Sequence, residues 1–248
     1  MPALIDIRRR IRSVKSTEQI TKAMKMVSAS KLRRAQEAMF AARPYAHKME
    51  EVLGSMAFRA PRGAHPLLAE RTGKKTLLVV VSSDKGLCGG FNANILRAAT
   101  QFVSERSPED VELVVVGRKS RDHFRRRSLK IRREFVGVFQ PLRYQTAQEL
   151  AREAIRAFTS GEVDRVHVVY NEFKSVIQQR IVTAQLLPVA PSVADPKEPP
   201  LDYLYEPAPA AIFDEVLPKY VEIRIWHGLL ESAAAEHGNA PQTASQSV

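Results

Sequence analysis

Leu32-Arg-Arg-Ala-Gln-Glu-Ala-Met-Phe-Ala-Ala-Arg-Pro-Tyr-Ala-His-Lys-Met-Glu-Glu-Val-Leu-Gly-Ser-Met56 decides how this chain is read. Taken in alternating steps of three and four, positions 32, 35, 39, 42, 46, 49, 53 and 56 are all Leu, Ala or Met. An apolar residue every 3.5 positions forms one seam along a helix, which is what a coiled coil buries. Good helix formers fill the remaining positions, and no glycine occurs before Gly54. Pro44 removes one backbone donor and is expected to bend or weaken the helix there.

Toward the N-terminus the same register continues through Ile7, Ile11 and Val14. Between the two apolar stretches it meets Glu18, Thr21, Lys25 and Ser28, and the apolar stripe slips sideways to Ile20, Met24 and Val27. Such a slip changes the local winding of a helix pair. One helix from Leu4 to about Phe58 would span roughly 80 Å at 1.5 Å per residue. A long bundle helix is the plainer reading of the same pattern.

A seam needs a partner, and the C-terminal region supplies one. Val221, Ile225, Leu229 and Ala233 fall near helical spacing. Gly238 and Pro241 read as its stop, and the small polar residues after them as a disordered tail. The expected organisation is an N-terminal coiled-coil helix over 1–60, a central domain over 74–190, a truncated C-terminal coiled-coil helix over 208–237 and a disordered tail over 238–248. The proline-rich stretch from Pro188 to Pro209 reads as an irregular connection.

The centre alternates strand and helix signals. Thr76-Leu-Leu-Val-Val-Val-Ser82, Val111-Glu-Leu-Val-Val-Val-Gly117 and Val163-Asp-Arg-Val-His-Val-Val-Tyr170 are apolar runs with little alternation. Helical stretches over 90–106 and 145–159 separate them. Buried strands divided by helices predict a small Rossmann-like, mainly parallel α/β sheet. Phe173 to Leu187 is long and β-branched enough for one or two further strands.

The 248 residues are 44% hydrophobic and 26% charged, ordinary for a globular chain of one or two domains. No apolar run approaches the ~18 residues of a membrane span. A single cysteine, Cys88, excludes a disulfide framework or a multi-cysteine metal site. The net charge of +11 is concentrated. Residues 1–60 carry 13 Lys/Arg against 5 Asp/Glu, and residues 118–134 carry 9 against 2. Two basic zones on a slightly acidic body suit acidic partners or a solvated face.

Catalytic signals are weak. The loop Ser82-Ser-Asp-Lys-Gly-Leu-Cys-Gly-Gly-Phe-Asn92 joins a strand to a helix, where a phosphate can rest on helix amides. It is neither G-x-G-x-x-G nor a P-loop, and no acidic residue after Gly117 waits for a ribose. Tight-turn glycines are the better reading. Cys88 lacks a nearby base and reads as a buried structural thiol, and the six histidines are scattered without metal-ligand spacing. No catalytic set, metal site or cofactor is expected.

Three stretches resemble a known family. Arg10 to Gln36 with Ala42-Arg-Pro-Tyr45 is similar to the N-terminal helix of the F-type ATP synthase gamma subunit. Ser83-Asp-Lys-Gly-Leu-Cys-Gly-Gly-Phe-Asn92 looks like that family's central loop. Tyr203-Leu-Tyr-Glu-Pro207, Leu217 to Glu222 and Leu229-Leu-Glu-Ser232 resemble the start of its last helix. The resemblance implies a non-catalytic rotor stalk that couples proton translocation to ATP synthesis in a surrounding ring.

Its implied partners are the alpha and beta subunits, the epsilon subunit and the ring of c subunits, with no nucleic acid. It implies a peripheral place on the cytoplasmic face of a bacterial inner membrane, and no presequence, because the match starts at residue 2. Lys22, Lys25, Lys31, Arg33 and Arg34 are expected against the beta subunits, and Tyr203, Tyr205 and Glu206 against the c ring and epsilon. The likeness ends at His237, so the residues beyond it read as a truncated or frame-shifted end that would impair coupling.

Two other classes fit single features: a basic coiled-coil module binding nucleic acid, and a nucleotide-binding α/β enzyme. The first has no aromatic residue before Phe40 on which a base could stack.

Overall fold

A computed structural model describes residues 4–59, 64–176, 178–190 and 209–246 of the chain. Helix α1 (Leu4–Arg59) leads to strand β1 (Thr76–Val81), α2 (Phe91–Ser104), β2 (Val111–Val116), α3 (Arg118–Arg125) and β3 (Ile131–Phe135). Helix α4 (Tyr144–Thr159), β4 (Arg165–Phe173), β5 (Gln179–Leu187) and α5 (Pro209–Gln246) complete it.

The sheet order is β3-β2-β1-β4-β5. Pairings β1–β2, β1–β4 and β2–β3 are parallel, and β4–β5 is antiparallel. The three apolar runs occupy the three central positions, as their composition predicts, because a strand covered on both faces has no polar side to alternate with. Leu77, Val79 and Val81 point to the face covered by α4 and α5, while Leu78 and Val80 point to the face covered by α2.

Two elements were not expected from the sequence. Strand β3, Ile131-Arg-Arg-Glu-Phe135, is charged because it is an edge, and α3 lies within the second basic zone.

Helices α1 and α5 pack antiparallel. Arg43 pairs with Glu231 and Arg224 with Glu50, so seven residues forward on one helix match seven back on the other. All eight apolar seam positions from Leu32 to Met56 are buried or half-buried. Met39 and Leu53 are fully buried, and each such side chain contributes about 1.5–3 kcal/mol. Pro44 lies on the exposed side and α1 runs unbroken through it.

The expected disordered tail over 238–248 is corrected by α5, which continues through Gly238 and Pro241 to Gln246. Gly238 acts as a close-packing residue rather than a stop. A Cβ there would sit 3.1 Å from the Phe173 ring. Next to it, the Asn239 side-chain amide donates to Gln179 Oε1 at 2.6 Å. Contacts to the ends of β4 and β5 thus outweigh the poor helix propensity of Gly-Asn-Ala-Pro.

Candidate functional site

The α1–α5 register places Gln246 opposite about Ser28. Residues Leu4 to Val27 of α1 therefore lie beyond the paired stretch of the two helices among the described residues, with Ile20 to Val27 meeting α5 and the Lys85–Cys88 loop only across a cavity. Their apolar side chains are open to solvent: Ile7 is 47% exposed, Ile11 52%, Val14 55%, Ile20 58% and Val27 56%. Soluble proteins seldom leave so continuous an apolar stripe uncovered without a partner for it.

Cations accompany the stripe. Lys22, Lys25, Arg33 and Arg34 are exposed and Lys31 is half-buried. Arg33 alone of these meets a carboxylate within 4 Å among the described residues, Glu37 at 3.0 Å. The five do not converge on one point. They form a band around α1 where the covered part of the helix gives way to the bare part. Tyr203, Tyr205 and Glu206 lie outside the described residues.

Below the band, α1 is anchored by a buried ionic junction. Glu231 Oε1 accepts from Arg43 Nε at 3.0 Å and Nη2 at 2.9 Å, and its Oε2 accepts from the Phe173 amide at 2.8 Å. Arg43 Nη2 also donates to the Phe173 carbonyl at 3.0 Å. His227 Nε2 stands 3.2 Å from Glu231 Oε1. Burial alone would raise the Glu231 pKa, but hydrogen bonds from His227, the Phe173 amide and Arg43 hold it below the usual carboxylate range. One carboxylate thereby joins α1, α5 and the end of β4.

The sequence reading missed this junction, although a signal was present. Arg43 and Glu50 are seven apart beside the α1 seam, and Arg224 and Glu231 are seven apart on α5. Opposite charges repeating by heptads beside a seam are the pattern of interhelical pairing.

A cavity of about 530 Å³ lies where α1, the Ser82–Asn92 loop and α5 meet. Met24, Val27, Lys31, Lys85, Glu236 and His237 are among its walls. Glu236 is 8% exposed and makes no hydrogen bond among the described residues. Burial, reinforced by nearby Asp84, pushes its pKa up to about 7 despite Lys31 and Lys85. Burial, with the same two lysines, pushes His237 down to about 4.

The loop itself is a structural knot. Asp84 accepts from the Arg118 amide at 3.1 Å and from the Gly137 amide at 3.0 Å, joining the segments that follow β1, β2 and β3. Ser82 Oγ accepts from the Ser120 amide at 2.8 Å, and the Ser83 carbonyl from the Lys119 amide at 3.2 Å. The first amides of α3 are thus taken by protein groups. Asn92 Nδ2 donates to Cys88 Sγ at 3.0 Å, and Cys88 is 3% exposed with its pKa raised by burial. That environment suits an inert thiol.

The second basic zone is largely satisfied within the chain. Six of its nine cations, Arg118, Arg121, Arg125, Lys130, Arg132 and Arg133, have a carboxylate within 4.0 Å. Arg132 bridges Glu112, Glu153 and Glu162, which fastens β3 to its neighbours. Among the described residues no group of three or more His, Cys, Asp or Glu side chains could hold a metal ion, and no helix is long and apolar enough to cross a membrane.

A family model described as ATP synthase matches residues 3–246, nine residues beyond the point where the sequence likeness was expected to end. The "ATP synthase gamma chain" of Pelotomaculum thermopropionicum is 47% identical over 255 residues, covering 100% of this chain and 89% of the relative. The protein of the same description from Anaeromyxobacter sp. (strain Fw109-5) is 51% identical, covering 96% and 84%. A chain of the central stalk and c-ring structure of Tetrahymena thermophila mitochondrial ATP synthase superposes with a TM-score of 0.70 at 26% identity, covering 92% of this chain and 99% of that one. A rotor chain of Euglena gracilis mitochondrial ATP synthase shares the fold, with a TM-score of 0.64 at 18% identity.

Proposed function

Since this chain belongs to the ATP synthase gamma-chain family, we propose that α1 and α5 wind into the coiled-coil shaft of the rotor and that the bare half of α1 turns inside the ring of alpha and beta subunits. The chain is a rotor-stalk subunit and is itself non-catalytic; it serves ATP synthesis through the membrane-associated complex. The observation that carries the mechanical reading is the exposed stretch Leu4–Val27, about 36 Å of helix at 1.5 Å per residue. It is apolar and cationic and, among the described residues, largely exposed.

The physical logic is that of a shaft in a sleeve. Tight, interlocked packing would hold the helix in one rotational state. A narrow apolar stripe with a surrounding band of Lys22, Lys25, Lys31, Arg33 and Arg34 offers contacts that can be exchanged as the helix turns. Long cationic side chains reach acidic groups on the beta subunits from several angles at low energetic cost each. The Arg43–Glu231 junction and the lower seam keep the shaft fixed to the α/β domain, so torque applied at one end reaches the other.

We assign Tyr203, Tyr205 and Glu206 to the foot, toward the c ring and the epsilon subunit, and the whole subunit to the cytoplasmic face of the bacterial inner membrane. Support for the foot is the family likeness of Tyr203-Leu-Tyr-Glu-Pro207. Crosslinks from position 205 that reach c subunits support this assignment, and crosslinks confined to beta would overturn it.

Co-purification tests the main reading. The tagged chain should bring down alpha and beta subunits in a complex that withstands nuclease. Recovery of nucleic acid in place of those subunits would favour the basic-module alternative.

A further inference from the structure

The topology creates a crevice that the stalk role does not use. From β1 the chain goes through α2 to β2 on one side of the sheet, and it returns later to β4 on the other side. In open α/β sheets, ligands bind outside the carboxyl ends of the strands at such a reversal. Here much of that region is filled by the helix pair, with Met39, Leu230 and Ala234 packed against Phe91 and Phe173. A cavity of about 420 Å³ remains beside it, between the first turn of α2, the end of β4 and the start of β5.

Its lining has a definite chemistry. Asn171, on β4, is 3% exposed, and its Nδ2 is a buried donor with no hydrogen-bond partner among the described residues. An unmet buried donor costs about 1–3 kcal/mol, so a ligand that accepts from it recovers that loss. Gly90 begins α2 without any side-chain cap, and the amide of Ala93 has no acceptor among the described residues. This leaves the positive end of a 14-residue helix beside the cavity.

Arg180, across the cavity, spends its Nε on Glu172 at 2.8 Å and keeps its Nη atoms without a partner among the described residues. Asn94 contributes a further amide. Gln179 is already satisfied by Asn239 and the Ala235 carbonyl and serves as wall. No Asp or Glu lines the cavity. Donors, a helix N-terminus and the unpartnered Nη edge of Arg180, whose Nε is held by Glu172, select an anion over a cation or a neutral apolar ligand.

We propose that this cavity binds a phosphate-type oxyanion, free or carried on a nucleotide, through Asn171 Nδ2, Arg180 and the first turn of α2. The site takes in the Gly90 end of the glycine loop, while the Ser82–Asp84 end of that loop is spent on hydrogen bonds within the protein. It is independent of the rotor reading, which would stand without it.

Titration of the full-length chain with inorganic phosphate, at fixed ionic strength and followed by calorimetry, tests it. The parent should show one saturable site. Asn171→Asp places a negative charge where the donor was and should weaken binding by about tenfold or more. Arg180→Gln, at a side chain 66% exposed, should weaken it with folding untouched, and it decides the matter where Asn171→Asp fails to fold. A parallel titration with ADP separates the sources: equal affinity means that only the oxyanion is read, and tighter binding sensitive to Arg180→Gln means that a nucleotide phosphate is. Absence of a saturable site, or phosphate binding unchanged in both folded variants, overturns the proposal.

Discussion

Arg43 and Glu231 stand 188 positions apart in the chain and meet at 2.9 Å, with the Glu231 carboxylate 1% exposed. Because Glu231 also takes the Phe173 amide, this pair does more than join two helices. It sets the rotation of α5 against α1 and fixes both to the sheet. A buried carboxylate stripped of its cation is costly, so Arg43→Leu should destabilise the chain by about 3–5 kcal/mol. Arg43→Leu with Glu231→Gln should cost less than the two single changes added. Chemical denaturation of the four proteins checks this, and strict additivity would show that the contact carries no coupling.

The lower seam should be sensitive to volume. Leu53 is fully buried between α1 and the domain, so Leu53→Ala should cost about 2–5 kcal/mol. Ile11→Ala, at a residue 52% exposed, should change the stability of the isolated chain by no more than about 0.5 kcal/mol. Denaturation midpoints compared side by side provide the measurement.

Glu236 makes stability fall as the pH rises. Its folded pKa of about 7 lies above the ordinary 4.5, so between those values the folded chain holds a proton that the unfolded chain has released. Its stabilising protonated state is fully present below pH 4.5 and lost by about pH 7, a contribution of at most roughly 3 kcal/mol. Asp84, Lys31, Lys85 and His237 face the same group. His167 and His237, both pushed down to about 4, act in the opposite sense from pH 6.5 to 4. The difference between the parent and Glu236→Gln therefore isolates the effect, and parallel pH profiles for the two would falsify it.

Hydrogen exchange should divide α1 in two. Residues 32–56 lie against α5 and the domain, whereas residues 4–27 are largely exposed. A lone helix gains little from propensity. In the isolated chain, amides 5–25 should exchange far faster than those of β1 at 76–81. Comparable protection in both would count against the unpaired shaft.

Within an assembled complex, Lys25→Glu should reduce ATP-driven proton pumping more than it reduces the yield of complex. The change reverses a charge in the band where covered helix meets bare helix. Equal pumping by parent and variant in reconstituted vesicles would remove Lys25 from the coupling contacts.

Gly117 should resist substitution. Its φ is +89°, and a Cβ there would fall 2.3 Å from the Ser82 carbonyl oxygen. Forcing a non-glycine residue into that backbone conformation costs about 1–3 kcal/mol, and overpacking adds about 1–3 kcal/mol more. Gly117→Ala should lower the thermal midpoint markedly, because a residue with a Cβ would be strained at the start of α3, where the Gly117 amide donates to the Phe135 carbonyl at 2.8 Å.

Periodicity is a local property, and whatever depended on it was determined by the sequence alone. The Leu32–Met56 seam, the three apolar strands between helices, the partnership of the first and last helices and the band of shaft cations could all be read from residue spacing and charge. Tertiary structure decided what depends on distant neighbours. Charged β3 is a strand because Glu112, Glu153 and Glu162 neutralise Arg132. Helix α5 passes through Gly238 because Phe173 and Gln179 are packed beside it. Glu231 is held ionised and Glu236 is pushed toward neutrality, although the two are five positions apart on one helix. Arg43 and the Phe173 amide reach the first, while the second makes no hydrogen bond among the described residues, and Lys31 and Lys85 in the same cavity do not offset its burial. Residue type was the same for both; burial and the groups that folding brought within hydrogen-bonding distance made the difference.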